Sequence, residues 1–509
     1  MLRQGLGHRF RLRRCRGLCW GEANQSKRRQ EWDRTGQPRD AFFGRAVQCH
    51  PPLGLRTLEI DLLVVTTLKY LKRILPRFFT ATGIDLMRIQ FLAASIASIC
   101  LSLAACGGSD SATDLPFSVA VIGDSPYGIA LGDTAQYNAN PAFIKSVSAT
   151  PSLSLALHVG DIHSGKEYCT EAFNLGVFNQ WKGFTLPLVY VPGDNEWADC
   201  HKAKEGGGSY SATTGAISYV ANGSYAGGDP IANLQLVRAI FFPTPGKSLG
   251  AQISVHSQGL EYDTARPADA QFVENVWFER NKVMFGTINV PGGSNNNTDI
   301  WYGTPTISNA QSVEIATRTA ANLRWLDTIF AKATANGDAA VVLQIQADMW
   351  DQDGVTKAHL TEYKQFIDKI AANSKAFGKP VLLVNGDSHN FRSDNPLVPG
   401  ATCVVENPAV GVVGAPLVAA TAAVACSDAS VAGVAATYHK DVFGTAAATT
   451  DPYANQPGGY NVPNFHRIVA HTNPANPMEY LQLTIDLSAN ATNGSYAFGP
   501  FSWKRVVPN

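Results

Sequence analysis

The chain has 509 residues, 45% of them hydrophobic, with 41 Lys/Arg balanced by 41 Asp/Glu, which is enough apolar material for a large folded unit. The charge is unevenly placed: residues 1–86 hold 17 Lys/Arg and 7 Asp/Glu, whereas the chain from Cys106 onward holds 23 and 34, a net charge of −11. That acidic body argues against nucleic acid as the main partner, because binding phosphates needs clustered cations.

Residues 1–86, with basic clusters such as Arg11 to Arg16 and little apolar periodicity, read as a solvated, disordered extension. Residues 87–105 have another layout: Met87-Arg88, an apolar stretch from Ile89 to Leu103, then small residues. This is the plan of a secretory signal, too short for a comfortable transmembrane helix, and it predicts that translation starts at Met87, with residues 1–86 outside the native protein. Leu103-Ala-Ala-Cys106 resembles the lipobox of bacterial lipoproteins. The resemblance implies that Cys106 is acylated and becomes the mature N-terminus, with residues 106–115 as a flexible tether. The protein is then exported to the cell envelope and anchored to the membrane, facing the periplasm or the exterior.

Cys169, Cys200, Cys403 and Cys426 remain, and an even set in an exported chain points to disulfides. Three pairings are open, and proximity favours Cys169–Cys200 and Cys403–Cys426. Zinc is the rival ligand, but no Cys-X-X-Cys spacing supports it.

From residue 116 strands alternate with helices. Phe117 to Asp124 and Leu153 to Asp161 are apolar runs that stop at Gly-Asp, with a helix predicted near Ala142 to Val147 between them. A helix over Phe173 to Lys182 leads to a third strand, Leu186 to Val191, which runs into Pro192-Gly-Asp-Asn-Glu-Trp197. This β-α-β-α-β order implies parallel strands and right-handed crossovers. Residues 199–230, rich in Gly, Ser and Ala, read as a long loop insertion. Further on come a strand over Val283 to Val290, a helix over Ser312 to Ala335, a strand over Ala339 to Gln346 and a helix over Glu362 to Ala376. Pro380 to Asp387 is a fourth run ending in Gly-Asp, with His389 two residues later. Residues 399–460 form a second insertion, and strands follow over Phe465 to Ala470 and Tyr480 to Leu487. In open α/β sheets ligands bind beyond the carboxyl ends of the strands, so clustered Asp and His there point to a metal site.

Gly123-Asp124, Gly160-Asp161, Gly193-Asp194-Asn195-Glu196 and Gly386-Asp387-Ser388-His389, in that order and each after a strand, resemble the motifs of calcineurin-like metallophosphoesterases over most of residues 116–509. The resemblance implies an α/β fold, a four-layer α/β/β/α sandwich with two mixed sheets, and two divalent metal ions. It places Asp124 on the first metal, Asp161 between both, Asp194 and Asp387 on the second, and His389 on the first. Gln346 falls nearest the family's lone His, with Asp348 as a substitute, and Asn195 stands where the catalytic His belongs.

The departures shape the chemistry. Pro126 stands where the first motif has His, leaving His163 as a stand-in ligand. Asn195 donates a hydrogen bond but cannot transfer a proton, and His201 is the nearby candidate for that task. Tyr127 and Trp197 are candidates to wall the pocket. Mostly oxygen ligands suit Mn, Mg or Ca better than a soft-ligand site does, with Zn and Fe also compatible. The implied activity is hydrolysis of a small-molecule phosphate ester by a hydroxide bridging two metals. The alternative is a non-catalytic surface lipoprotein that keeps the fold and binds a metal or a phosphorylated or carbohydrate ligand.

Overall fold

The structure is a computed structural model, and it describes residues 115–220, 228–350, 357–389, 391–398, 402–405, 424–425, 460–470, 478–489, 491–494 and 496–508. The extension, the signal-like segment, Cys106 and most of the 399–460 insertion with Cys426 lie outside the described residues, and with Cys426 so does the Cys403–Cys426 pairing.

Alternation along the strands sets the layers. In β1 (Phe117–Ile122), Val119 and Val121 face one way, and Ala120 and Ile122 the other. The first pair meets a second sheet and the other pair meets helices, so every side chain of the strand after Phe117 is buried. The first sheet is built on β1, β2 (Leu153–His158) and β3 (Pro187–Tyr190), which run parallel, with β9 (Tyr480–Ile485) antiparallel to β1 and β10 (Phe501–Val506) beyond it. The second sheet orders β4 (Val276–Arg280), β5 (Val283–Thr287), β6 (Ala340–Gln344), β7 (Val381–Asn385) and β8 (Phe465–Val469) side by side, the last four parallel. Both sheets are therefore mixed.

The inner core joins Val119, Val121, Leu155 and Leu157 of the first sheet to Phe285, Val342, Leu382 and Val384 of the second. Outside the first sheet lie α1 (Ala135–Ser148), α2 (Glu171–Trp181) and α3 (Pro230–Phe241), whose Phe143, Ile144, Val177, Trp181, Val237 and Phe241 pack on Ala120, Ile122, Ala156 and Leu188. Outside the second lie α4 (Asn309–Asn336) and α5 (Lys357–Phe377), with Trp325, Ile329, Phe366 and Ile370 against Val341, Leu343 and Leu383. Each such side chain contributes about 2–3 kcal/mol on full burial. The result is the expected four-layer α/β/β/α sandwich.

Helix ends follow local chemistry. Thr170 and Ser308 cap α2 and α4 by accepting from Phe173 N and Gln311 N, and Gly337 closes α4 at φ 74°. The segment read as a loop over 199–230 is more structured than expected: short 3-10 turns at Asp199–His201 and Ala203–Glu205 precede a small hairpin of Gly208–Tyr210 with Ile217–Tyr219. Its end is also the start of α3, where the Asp229 side chain accepts from Ala232 N at 2.8 Å and Pro230 takes the first turn. Among the described residues no helix is long and apolar enough to cross a membrane.

Candidate metal centre

Three parallel strands of the first sheet and two of the second deliver the site. Asp124, Asp161 and Asp194 follow β1, β2 and β3, Gln346 follows β6, and Asp387 and His389 follow β7. After β1, β2 and β7 the chain turns sharply: Asp124, Asp161, Asp387 and His389 have φ of 50°, 57°, 77° and 59°, a region that Asp tolerates better than bulkier residues do. The two sheets are stitched beside these turns. Gln344 Nε2 donates to His158 O at 2.7 Å and Val189 O at 3.3 Å, and Asp387 N donates to Asp124 Oδ1 at 3.0 Å.

Two sets of ligand atoms result, each lying within 4.8 Å of one another: Asp124, Asp161 and His389 in one, and Asp161, Asp194 and Asp387 in the other. Asp161 belongs to both. Backbone crowding leaves room for nothing else, since a Cβ on Gly193 would lie 1.8 Å from Asp161 Oδ1, and one on Gly292 would lie 2.4 Å from Asp194 Oδ2. Glycine at these two positions lets the carboxylates converge.

The electrostatics of this convergence favour cations. Asp124 and Asp161 are buried, and Asp124 Oδ2 and Asp161 Oδ1 accept no hydrogen bond. Burial, and then neighbouring carboxylates, push Asp124 and Asp194 up to about 7 and Asp161 well above the usual carboxylate range. Orphaned buried oxygens beside an imidazole, His389 Nε2 being 3.5 Å from Asp124 Oδ1, are a donor set that fits divalent cations.

Gln346 reaches the site, but not as the ligand expected. Its Oε1 accepts from Gly292 N at 2.6 Å, which leaves Nε2 to donate to Asp161 Oδ2 at 3.2 Å and Asp194 Oδ1 at 3.0 Å. The amide thus clamps two carboxylates instead of joining them, an orientation fixed by its partners. Asp348 is also otherwise engaged: it pairs with buried Arg467 and accepts from Ser388 Oγ at 2.9 Å, while its N–H donates to Asp387 Oδ2 at 3.1 Å. It supports the Asp387 loop.

Neither stand-in histidine joins the carboxylates. His163 is fully buried against Phe173, its Nδ1 on Ser164 O at 3.2 Å, and burial lowers it to about 4. His201 accepts from Tyr302 N at 2.9 Å and faces Asp299 at 3.7 Å, in a third group with Asp199. Lys202 Nζ lies 2.5 Å from both Asp199 and Asp299, so an ammonium already offsets one of the two carboxylate charges in that group. Trp197 is fully buried under the Arg318 guanidinium and is core rather than pocket wall. Tyr127 does border the site: it accepts from Asn195 Nδ2 at 3.1 Å and meets His389 edge-on at 4.8 Å.

No protein-family model matches the sequence, and no curated protein matches it significantly. A purple acid phosphatase from yellow lupin (Lupinus luteus) seeds is similar in structure, at 12% identity over 73% of this chain and 49% of that one, with a TM-score of 0.30. The chain spans about half the length of that structure.

Behind the site, Cys169 and Cys200 form a disulfide whose sulfurs lie 3.3 and 3.6 Å from Asn195 O. Two residues that sequence reasoning passed over also matter. Glu196, within the third motif, accepts from Ile162 N at 3.1 Å and Tyr190 Oη at 2.8 Å, tying the Asp161 turn to β3. Arg318 binds Asn295 through its side chain at 2.5 Å and its carbonyl at 3.1 Å, fixing the loop that carries Gly292.

Proposed function

We propose that this chain is a metal-dependent hydrolase of phosphate esters, exported and lipid-anchored through Cys106. The observation that carries the reading is Asp161, shared by two carboxylate-rich ligand sets at the ends of parallel strands. Asp124, Asp161 and His389 would hold one ion, and Asp161, Asp194 and Asp387 the other. When bound, two divalent ions supply positive charge for the phosphoryl oxygens and acidify the attacking water. The chain's own residues do the rest. Gln346 orients Asp161 and Asp194, the Asp348 N–H orients Asp387, and Asn195, held by Tyr127, presents an amide to the substrate.

Elemental analysis of the purified protein, run beside a panel of phosphomonoesters and phosphodiesters, tests the reading. The expected result is two metal equivalents and turnover of at least one ester class. Protein that binds metal and hydrolyses none of them would instead be a binding protein. Cys106→Ser is expected to move the protein from the membrane to the soluble fraction; wild-type-like membrane retention of that variant refutes the anchor.

A further inference from the structure

At the edge of the carboxylate sets the hydroxyl of Tyr127 has an unused donor. Asn195 Nδ2 donates to Tyr127 Oη at 3.1 Å, so the phenol acts there as acceptor and its own O–H is left over. Among the described residues no group accepts from that O–H. The orientation of the amide follows from what lies on its other side. Asn195 Oδ1 and Lys204 Nζ lie 3.3 and 3.2 Å from the place a Cβ on Gly165 would take, so the carbonyl end lies on the side of an ammonium, itself 3.6 Å from the buried Glu205. That leaves the N–H end of Asn195 for Tyr127.

Tyr127 is held in place without being sealed in. Its N–H donates to Gln136 Oε1 of α1 at 2.9 Å, the next N–H, that of Gly128, donates to Glu167 Oε2 at 3.1 Å, and its ring meets His389 edge-on at 4.8 Å. Asp124, Asp161 and Asp194 are buried, whereas Tyr127, Asp387 and His389 are partly exposed, His389 with 34% of its side chain. A phosphate ester arriving from water therefore reaches the buried carboxylates past these three residues. The carboxylates that act on the Tyr127 hydroxyl are Asp161, Asp124 and Asp194, which between them belong to both ligand sets.

We propose that the Tyr127 O–H donates a hydrogen bond to a phosphoryl oxygen of the bound ester, which makes Tyr127 a catalytic residue beside Asn195; this rests on the hydrolase reading above. In the step, a water oxygen forms a bond to phosphorus as the bond from phosphorus to the ester oxygen breaks. Ester and water become alcohol and phosphate, with protons exchanged through solvent. Charge gathers on the phosphoryl oxygens along the way, and a donor already fixed in place stabilises it without reorganising. The second N–H of Asn195 Nδ2 is available to the same group, so two donors converge. Tyr127 keeps its proton throughout and therefore assists esters of acidic and of unactivated alcohols alike.

The test compares the full-length, metal-loaded protein with Tyr127→Phe, which removes the hydroxyl and keeps the ring on His389. Metal content is expected to stay at the wild-type level while kcat falls by about 10²–10³-fold, to the same extent on nitrophenyl phosphate and on an alkyl phosphate. Calorimetric titration with inorganic phosphate and with orthovanadate, whose five-coordinate form imitates the transition state, reads the same contact without turnover. Tyr127→Phe is expected to weaken both, orthovanadate the more. Adding Tyr127→Phe to Asn195→Ala is expected to slow the enzyme further; a double variant no slower than Asn195→Ala shows that Tyr127 only props the amide, and overturns the proposal. So does wild-type kcat in Tyr127→Phe, a lost metal equivalent, or a loss confined to the alkyl ester. A wild type that turns over neither ester overturns the hydrolase reading; the orthovanadate titration then judges Tyr127 separately, an unchanged affinity in Tyr127→Phe overturning its role as donor and a weakened one supporting it.

Discussion

Asp161→Asn perturbs the shared ligand, and its effect can be worked out before any metal is added. Ligand atoms of Asp161 and its neighbours lie within 4.8 Å, and at an effective dielectric of about 20 two unit charges at that spacing repel by about 3 kcal/mol. Burial first, and then this repulsion, favour the protonated forms in the metal-free protein, holding Asp124 and Asp194 up to about 7 and Asp161 well above the usual carboxylate range. Folded pKa values above the unfolded ones mean that the folded state binds more protons between about pH 4 and pH 7, so stability falls as pH rises through that window. Urea unfolding in EDTA is therefore expected to show wild type less stable at pH 8 than at pH 5. Asp161→Asn should flatten that slope and exceed wild type at pH 8 by about 2–4 kcal/mol, the scale of one relieved charge pair. With metal supplied, the order reverses: wild type gains stability, and the variant binds at most one equivalent and loses hydrolysis. Full metal occupancy in Asp161→Asn, or metal-free wild type that gains stability from pH 5 to pH 8, would refute the reasoning.

His389 belongs to one ligand set and Asp387 to the other, so His389→Ala and Asp387→Ala are each expected to lose one metal equivalent and keep the second, as read by elemental analysis. Gly193→Ala would press a methyl group to 1.8 Å from Asp161 Oδ1; a loss of about 1–3 kcal/mol together with weakened metal affinity is expected in thermal melts and metal titration. Removing the Cys169–Cys200 cross-link, which spans 31 residues, by a double Cys→Ala change should cost about 3–4 kcal/mol in the chain-entropy account, measured as a shift in urea midpoint.

The strand ends were legible because a short apolar run that halts at Gly-Asp has one economical fold, and that rule located Asp124, Asp161, Asp194 and Asp387 in order. The same logic stops at side chains whose role depends on what lies opposite. Gln346 offers both an oxygen and an amide, and only the N–H of Gly292, 54 residues away, decides which one faces the carboxylates. Asp348 looked available until Arg467, 119 residues on, claimed it. His201 and Glu205 sit in a Gly-rich stretch without periodicity, so nothing local says that one turns away and the other is sealed in. The Asp229-Pro230 cap, by contrast, was a readable signal for α3 that the loop reading overlooked.

The stitch between the sheets has a kinetic consequence. Asp124 and His389, members of one ligand set, are separated by most of the sandwich's chain, and Asp387 N–H reaches Asp124 across both sheets. No half of the molecule contains a complete set, so each set is completed by a contact of long sequence separation, the class of contact associated with slower folding. Ions held there would act as a clasp, because a ligand bound only by the folded state must leave before unfolding, so metal occupancy would lengthen the life of the native state.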